Sequence, residues 1–338
     1  MSEKKKFKIL CIDGGGIKGL YSASVLEVLE KQFETRLSDQ FDLVCGTSTG
    51  GIIALGVSAK IPMKEIVQFY KDYGPKIFKS RWKHFGRLGN SILGIRQVLF
   101  RAKYSQKPLR EALTSVFGSR KISESNNFLC IPAYNITEGE PRIFKYDYDS
   151  LCMDNDKTYT EVALATSAAP TYLPIQDING TRYVDGGLYA NNPILVGLSE
   201  YIFKWSKKDS FDGVDILSIS SCEKSYGWSP KSKRLSFFKW RDTLFDCYSH
   251  GLERNEMFFL KKLSESGVLK FDLNIVRIEN NKISGFQEKF ISLDNASKHS
   301  MEILYSIGQK TGANSKEDPK VVDFFRNSKT IDPKQYGK

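Results

Sequence analysis

The chain has 338 residues, 41% of them hydrophobic and 26% charged, with a formal net charge of +11; this suits one large α/β domain or two smaller ones of ordinary globular composition. No run approaches the roughly 20 apolar residues that span a bilayer, which argues against a helical membrane protein. Six scattered cysteines without a C-x-x-C pair argue against a disulfide framework or a zinc module. The stretch from Met1 to Ile12 is too short and interrupted for a secretion signal, so a cytoplasmic protein is expected.

In chain order, Phe7 to Ile12 reads as a buried strand ending in Asp13-Gly14-Gly15-Gly16-Ile17-Lys18-Gly19, and apolar residues at helical spacing then run to about Phe33. Phe41 to Cys45 reads as a second strand, Gly46-Thr47-Ser48-Thr49-Gly50 as a turn, and the apolar run from Gly51 as a helix. Strand, glycine turn and helix repeated in this order mark a parallel α/β architecture, with both turns on the carboxyl edge of the sheet. Lys64 to Tyr73 reads as a further helix. From Pro75 to Arg110 there are ten Lys or Arg residues and no Asp or Glu, with aromatics interleaved and no clear period, so loops or short helices of a cap are expected there.

Strands are expected again at 128–133 and 142–146, a helix at 159–167, and a short strand closing in Asp185-Gly186-Gly187, followed by Asn191-Asn192-Pro193 and a helix from Ile194. Asp215 to Ser220 reads as a buried strand, and helices are expected at about 242–264 and 293–311, with a polar, peripheral tail. There is no internal repeat and no clear domain boundary.

Acyl transfer needs a nucleophile, a proton acceptor and donors aimed at an oxyanion. Ser48, flanked at two-residue spacing by Gly46 and Gly50 between strand and helix, fits the first, although N-capping is the ordinary use of such a residue. Gly14, Gly15 and Gly16 offer backbone N–H groups at a helix start, with Lys18 adding positive charge. The same loop matches G-x-G-x-x-G, yet the second strand ends in Gly46-Thr47-Ser48 where a dinucleotide fold wants a carboxylate, so a nucleotide-dependent oxidoreductase is the weaker alternative. The three histidines, His84, His250 and His299, have no adjoining glycine turn. Asp185, exposed on a sharp turn by Gly186 and Gly187, is the candidate base, provided that burial or the serine hydroxyl tunes it. Asp13 is the competing carboxylate and is read as bracing the glycine loop. No cluster of acids or histidines in the sequence proposes a metal, and no cofactor is called for.

Asp13 to Gly19, Gly46 to Gly50, Ala165-Thr166-Ser167-Ala168-Ala169-Pro170-Thr171-Tyr172 and Asp185 to Gly187, in this order, resemble the motif set of patatin-like phospholipases over residues 7 to about 200. The resemblance implies a three-layer α/β/α sandwich with a mainly parallel central sheet and a cap. It also implies a single domain over 1–338, with the motifs in 7–205, a basic cap at 75–125 and a C-terminal extension at 206–338. In that family Ser48 would be the nucleophile, Asp185 its dyad partner and the loop from Gly14 through Ile17 to Lys18 the oxyanion hole, acting on membrane glycerophospholipids. Within it, the chain looks similar to bacterial phospholipase effectors of cyclic-oligonucleotide antiphage signalling, which implies a cyclic dinucleotide activator; a constitutive housekeeping lipase is the alternative. Arg81, Lys83, Arg87, Arg96, Arg101 and Lys103 in the basic segment would suit a cyclic dinucleotide or anionic lipid headgroups at the inner membrane face, and no nucleic acid polymer is expected. A homo-oligomer is left open.

Overall fold

The structure is a computed structural model that describes residues 5–79, 102–148, 153–208, 211–224 and 237–336, with 237–246 given as helix backbone. The candidate residues Arg81, Lys83, Arg87, Arg96 and Arg101, together with His84, lie outside the described residues.

The centre of the molecule is one sheet with the order β5-β6-β3-β2-β1-β7-β8, from β1 (Lys5–Ile12), β2 (Leu43–Gly46), β3 (Phe128–Asn135), β5 (Gln176–Ile178), β6 (Thr181–Asp185), β7 (Phe211–Ile219) and β8 (Asp272–Ile278); the hairpin strand β4 (Glu140–Lys145) pairs with β3. The β2, β1, β7 and β8 contacts are parallel, as is β2 with β3, whereas β4, β5 and β6 join antiparallel. Phe7 through Ile12 are all buried, as expected where helices cover both faces of a parallel strand.

The two faces are identified by what meets them. A Cβ on Gly197, in α6 (Ile194–Glu200), would touch Cys11 and Cys45, while one on Gly51, in α2 (Thr49–Ser58), would meet Ile131. Cys45 pairs with Cys130 in register, so Ile131 points to the opposite face. Helices α1 (Gly19–Gln32) and α3 (Met63–Ile77) pack beside α2, and α8 (Lys298–Ser315) packs on α1. Cys11, Cys45, Cys130 and Cys222 are buried free thiols.

Several elements depart from the sequence reading. Lys107–Phe117, which begins inside the stretch read as loops or short helices and runs beyond its end at Arg110, is an amphipathic helix α4 that buries Leu109, Ala112, Leu113 and Phe117. Its cations occupy the outer face and so hide the apolar period. The strands Gln176–Ile178 and Asp272–Ile278 lie outside the expected set: the first is three residues long, and the second carries Asp272, Asn274 and Arg277 among only four apolar residues. Helix α8 begins at Lys298 and not at Leu293, because Ser297 caps it by accepting the Ser300 N–H and Leu293 is bound elsewhere. The tail is not peripheral: Val321, Phe324 and Ile331 are buried, Phe325 stacks on Phe33 at 4.1 Å, and the Phe324 carbonyl accepts from Lys8 Nζ at 2.9 Å. The long helix reads Phe237–Glu265 (α7), and the helix at Tyr159–Thr166 (α5) starts on a Thr158/Glu161 capping box.

Candidate active site

β1 and β2 are parallel neighbours with Ile12 opposite Gly46, which brings both glycine turns side by side on the carboxyl edge of the sheet, as the sequence order implied. Ser48 sits between β2 and α2 with φ 55° and ψ −121°, a conformation side chains rarely adopt. Surrounding bonds hold it there. The Ser48 N–H donates to Thr166 Oγ1 at 2.9 Å, Thr166 donates to the Pro132 carbonyl at 2.6 Å, and Thr47 Oγ1 donates to the Ala190 carbonyl at 2.6 Å. The flanking glycines are required by space: a Cβ on Gly46 would lie 2.2 Å from the Gly50 carbonyl oxygen, and one on Gly50 would lie 2.2 Å from that of Ile12. The helix started by this turn directs its positive end at the serine.

Asp185 ends β6, whose antiparallel pairing sets it opposite Ala133, three residues beyond Cys130 where β2 leaves β3. That offset returns the carboxylate to the serine. Asp185 is buried, lines the same pocket as Ser48, and accepts the Gly187 N–H at 2.7 Å. Burial pushes its pKa up to about 6, and the Ser48 side chain and the Gly187 N–H restrain that rise. Gly186 passes close to the Pro132 carbonyl, and Asn192 Oδ1 accepts the Ile194 N–H at 3.1 Å, so the Asn191-Asn192-Pro193 segment braces the turn.

The glycine loop divides into committed and open donors. The Gly14 N–H donates to the Asn191 carbonyl at 3.0 Å, Ile17 N–H to that of Leu293 at 2.9 Å, and Lys18 N–H to that of Gly15 at 3.1 Å. Among the described residues, Gly15 and Gly16 are the positions of this loop whose N–H groups have no such acceptor, and both line the pocket beside Ser48. Gly16 has φ +58°, and a Cβ on it would strike the Leu293 carbonyl oxygen. The Lys18 side chain lies over Gly15 near Ser221 and offsets part of the rise that burial imposes on the Cys222 thiol, so it stands behind the loop and outside the pocket lining.

The pocket is apolar, with about 780 Å³ of empty space counting its open mouth. Ile52, Phe69, Ile77, Phe78, Leu109 and Leu173 form its walls, with Ser48 and Asp185 at its polar end. Such an apolar lining suits an acyl chain.

Asp13 braces the loop, through a residue that sequence reading missed. Its carboxylate receives Arg277 at 2.6 Å, and the same guanidinium reaches Ser218 Oγ at 2.7 Å, Glu279 at 2.9 Å, Glu223 at 3.6 Å and Glu253. Burial raises Asp13 to about 7 despite Arg277, and burial with the neighbouring Glu253 raises Glu223 to about 8. The fold also assembles an acid–histidine group invisible in the sequence: ligating atoms of Glu223, His250 and Glu253 lie within 4.8 Å of one another. Arg277 already supplies a cation to its two carboxylates. His299 packs against Phe290 at 4.5 Å, and neither it nor His250 lines the pocket. Lys103, read as an anion-binding candidate, is ion-paired with Asp294 and stacked over Tyr104 and Tyr172, so its charge is neutralised.

The model of the patatin-like phospholipase family matches residues 10–198, which hold both glycine turns, Ser48 and Asp185. The chain belongs to the patatin-like phospholipase family. It is accordingly a lipid acyl hydrolase of mainly parallel α/β fold. Relatives within reach include a cGAMP-activated phospholipase of Pseudomonas aeruginosa, 33% identical over 79% of this chain and 78% of its own. A cGAMP-activated phospholipase of Vibrio cholerae is 30% identical over 96% and 95%. The human GIVD cytosolic phospholipase A2 structure aligns with a TM-score of 0.48 at 10% identity, covering 95% of this chain and 60% of that one. Among the described residues of this patatin-like chain, no helix is long and apolar enough to cross a membrane.

Proposed function

We propose that this protein cleaves fatty-acyl esters of membrane glycerophospholipids through an acyl-enzyme on Ser48, with Asp185 as proton acceptor and the Gly15 and Gly16 N–H groups as oxyanion donors. The observation that carries it is that Ser48, on its strained turn, and the buried Asp185 line one apolar pocket together with Gly15 and Gly16. Asp185 takes the hydroxyl proton as oxygen attacks the ester carbonyl, and the charge gathers on the carbonyl oxygen beside the loop. The leaving lysolipid alkoxide recovers that proton; water, deprotonated by Asp185, then attacks the acyl-enzyme and releases the fatty acid. A carboxylate held near 6 is ionised at neutral pH and more basic than an exposed one, which suits both steps.

Activation by a cyclic dinucleotide, and action at the inner membrane face, are the finer part of the proposal. Support comes from the relatives named cGAMP-activated phospholipase, whose alignment runs through both the motifs and the C-terminal region. Fatty-acid release from phospholipid vesicles, measured with and without cGAMP on the native chain, Ser48→Ala and Asp185→Asn, tests all of it. The dyad requires both variants to be inactive; equal native rates with and without cGAMP would leave a constitutive lipase.

A further inference from the structure

The carbonyl that anchors the glycine loop belongs to a segment with no regular structure. Leu293 lies in a turn between Ile291 and α8, and its oxygen accepts the Ile17 N–H at 2.9 Å while packing against Gly16. The next residue, Asp294, is what fixes this turn from outside. Tyr104 donates its hydroxyl to Asp294 Oδ2 at 2.8 Å, and Lys103 forms an ion pair with the same oxygen. Lys103 and Tyr104 are in turn tied to another segment of the pocket, donating their N–H groups to the carbonyls of Thr171 and of the pocket-lining Tyr172, each at 2.9 Å. Asp294 thus joins the pocket wall at Tyr172 to the carbonyl that holds the loop.

We propose that Asp294 is a positioning residue for the reaction: by gripping Lys103 and Tyr104 it fixes the Leu293 carbonyl on the Ile17 N–H and so keeps Gly15 and Gly16 at the pocket wall. This rests on the reading of Gly15 and Gly16 as oxyanion donors. The pair is one-third exposed at Lys103 but only 16% exposed at Asp294, which also accepts from the buried Tyr104 hydroxyl, so the melting temperature of each variant is followed beside its rate. The effect of Asp294 falls on the transition state, because loop placement matters where the oxyanion forms and not where the acyl chain binds.

The test measures kcat and KM on a nitrophenyl butyrate ester, too short to depend on the pocket walls, and the rate at which a fluorophosphonate probe labels Ser48, with cGAMP present throughout. Asp294→Ala should lower kcat and the labelling rate together by about tenfold, with KM within about twofold. Asp294→Asn, which still accepts from Tyr104, should lose only about threefold, and Lys103→Met with Asp294→Asn should be no worse than Asp294→Asn alone, since both remove one ion pair. A kcat for Asp294→Ala within about twofold of the native value, or a change confined to KM, overturns the proposal. If Asp294→Ala melts below the assay temperature, native kcat in both Asp294→Asn and Lys103→Met overturns it instead. Ser48→Ala run in parallel separates the two claims: turnover there removes the dyad reading, whereas a dead Ser48→Ala with an unimpaired Asp294→Ala removes only the positioning role.

Discussion

The Asp185 carboxylate and the Ser48 side chain line one pocket, with the two residues only 6% and 8% exposed, and Ser48 counters the rise that burial imposes on the carboxyl. Burial raises Asp185 from 3.8 to about 6. The base form is the ionised one, so kcat/KM is expected to rise with pH through about 6 and to level off above 7. Stability should run the other way. A carboxyl whose folded pKa is raised favours the folded state below its unfolded pKa, and that contribution is lost as pH rises from about 4 through about 6. Asp185→Asn should therefore be inactive yet more stable than the native chain at pH 8, by about 3 kcal/mol at most, with the gain vanishing near pH 4. Thermal unfolding of both proteins from pH 4 to 8 checks this, and a constant difference would show that Asp185 is not the group strained by burial.

Ser48 carries backbone strain because its N–H, its neighbours and the start of α2 fix it at φ 55°. Ser48→Ala removes the hydroxyl but keeps the strain; Ser48→Gly removes both. Both variants should be inactive, and Ser48→Gly should be the more stable by about 1 kcal/mol, the lower end of what such a conformation costs a residue with a Cβ. Chemical denaturation of the two variants measures the difference, and equal midpoints would mean that the turn is relaxed in solution.

Arg277 faces Asp13, Glu223, Glu253 and Glu279, and it is only 6% exposed on its side chain. Replacing it with Met leaves buried carboxylates without their cation, a loss of about 3–5 kcal/mol where they are ionised. Asp13 near 7 and Glu223 near 8 are raised groups, so in the folded state they are protonated below those values. The deficit of Arg277→Met should therefore be greatest at pH 8 to 9 and shrink toward pH 5. Arg277→Lys, which keeps the charge but not the fork that reaches several partners, should fall between. Melting temperatures across that range decide it; a deficit independent of pH would mean that lost packing, not charge, is what the variant suffers.

The parts of the molecule that were legible in the sequence are those where a local rule and the global fold agree. Ser48 and Asp185 could be singled out because a glycine-flanked turn between strand and helix, and a carboxylate before two glycines, are local signatures, and the fold brings these two residues together. Arg277 could not be found that way. It lies on a strand interrupted by Asp272 and Asn274 as well as by itself, and its partners are up to 264 residues away. Leu293 was likewise hidden, since it acts through a backbone carbonyl that any residue possesses. Lys103 shows the complementary effect: it lies in a run without acids, and the fold supplies Asp294 to it from a distant turn.

The walls of the pocket set the last expectation. Leu109 comes from α4, and it lines the apolar pocket along with Ile52, Phe69 and Ile77. If an acyl chain occupies this space, a larger side chain at Leu109 should exclude its far methylenes while leaving Ser48, Asp185 and the loop untouched. Each methylene denied burial costs about 0.8 kcal/mol, so a wall advanced by two of them lowers kcat/KM about fifteenfold. Leu109→Trp should impose that loss on long-chain esters and leave a butyrate ester within about twofold of native. Comparing kcat/KM over a series of chain lengths measures it. A uniform loss over the series would place the acyl chain elsewhere, because only a chain that reaches α4 can distinguish Leu from Trp there.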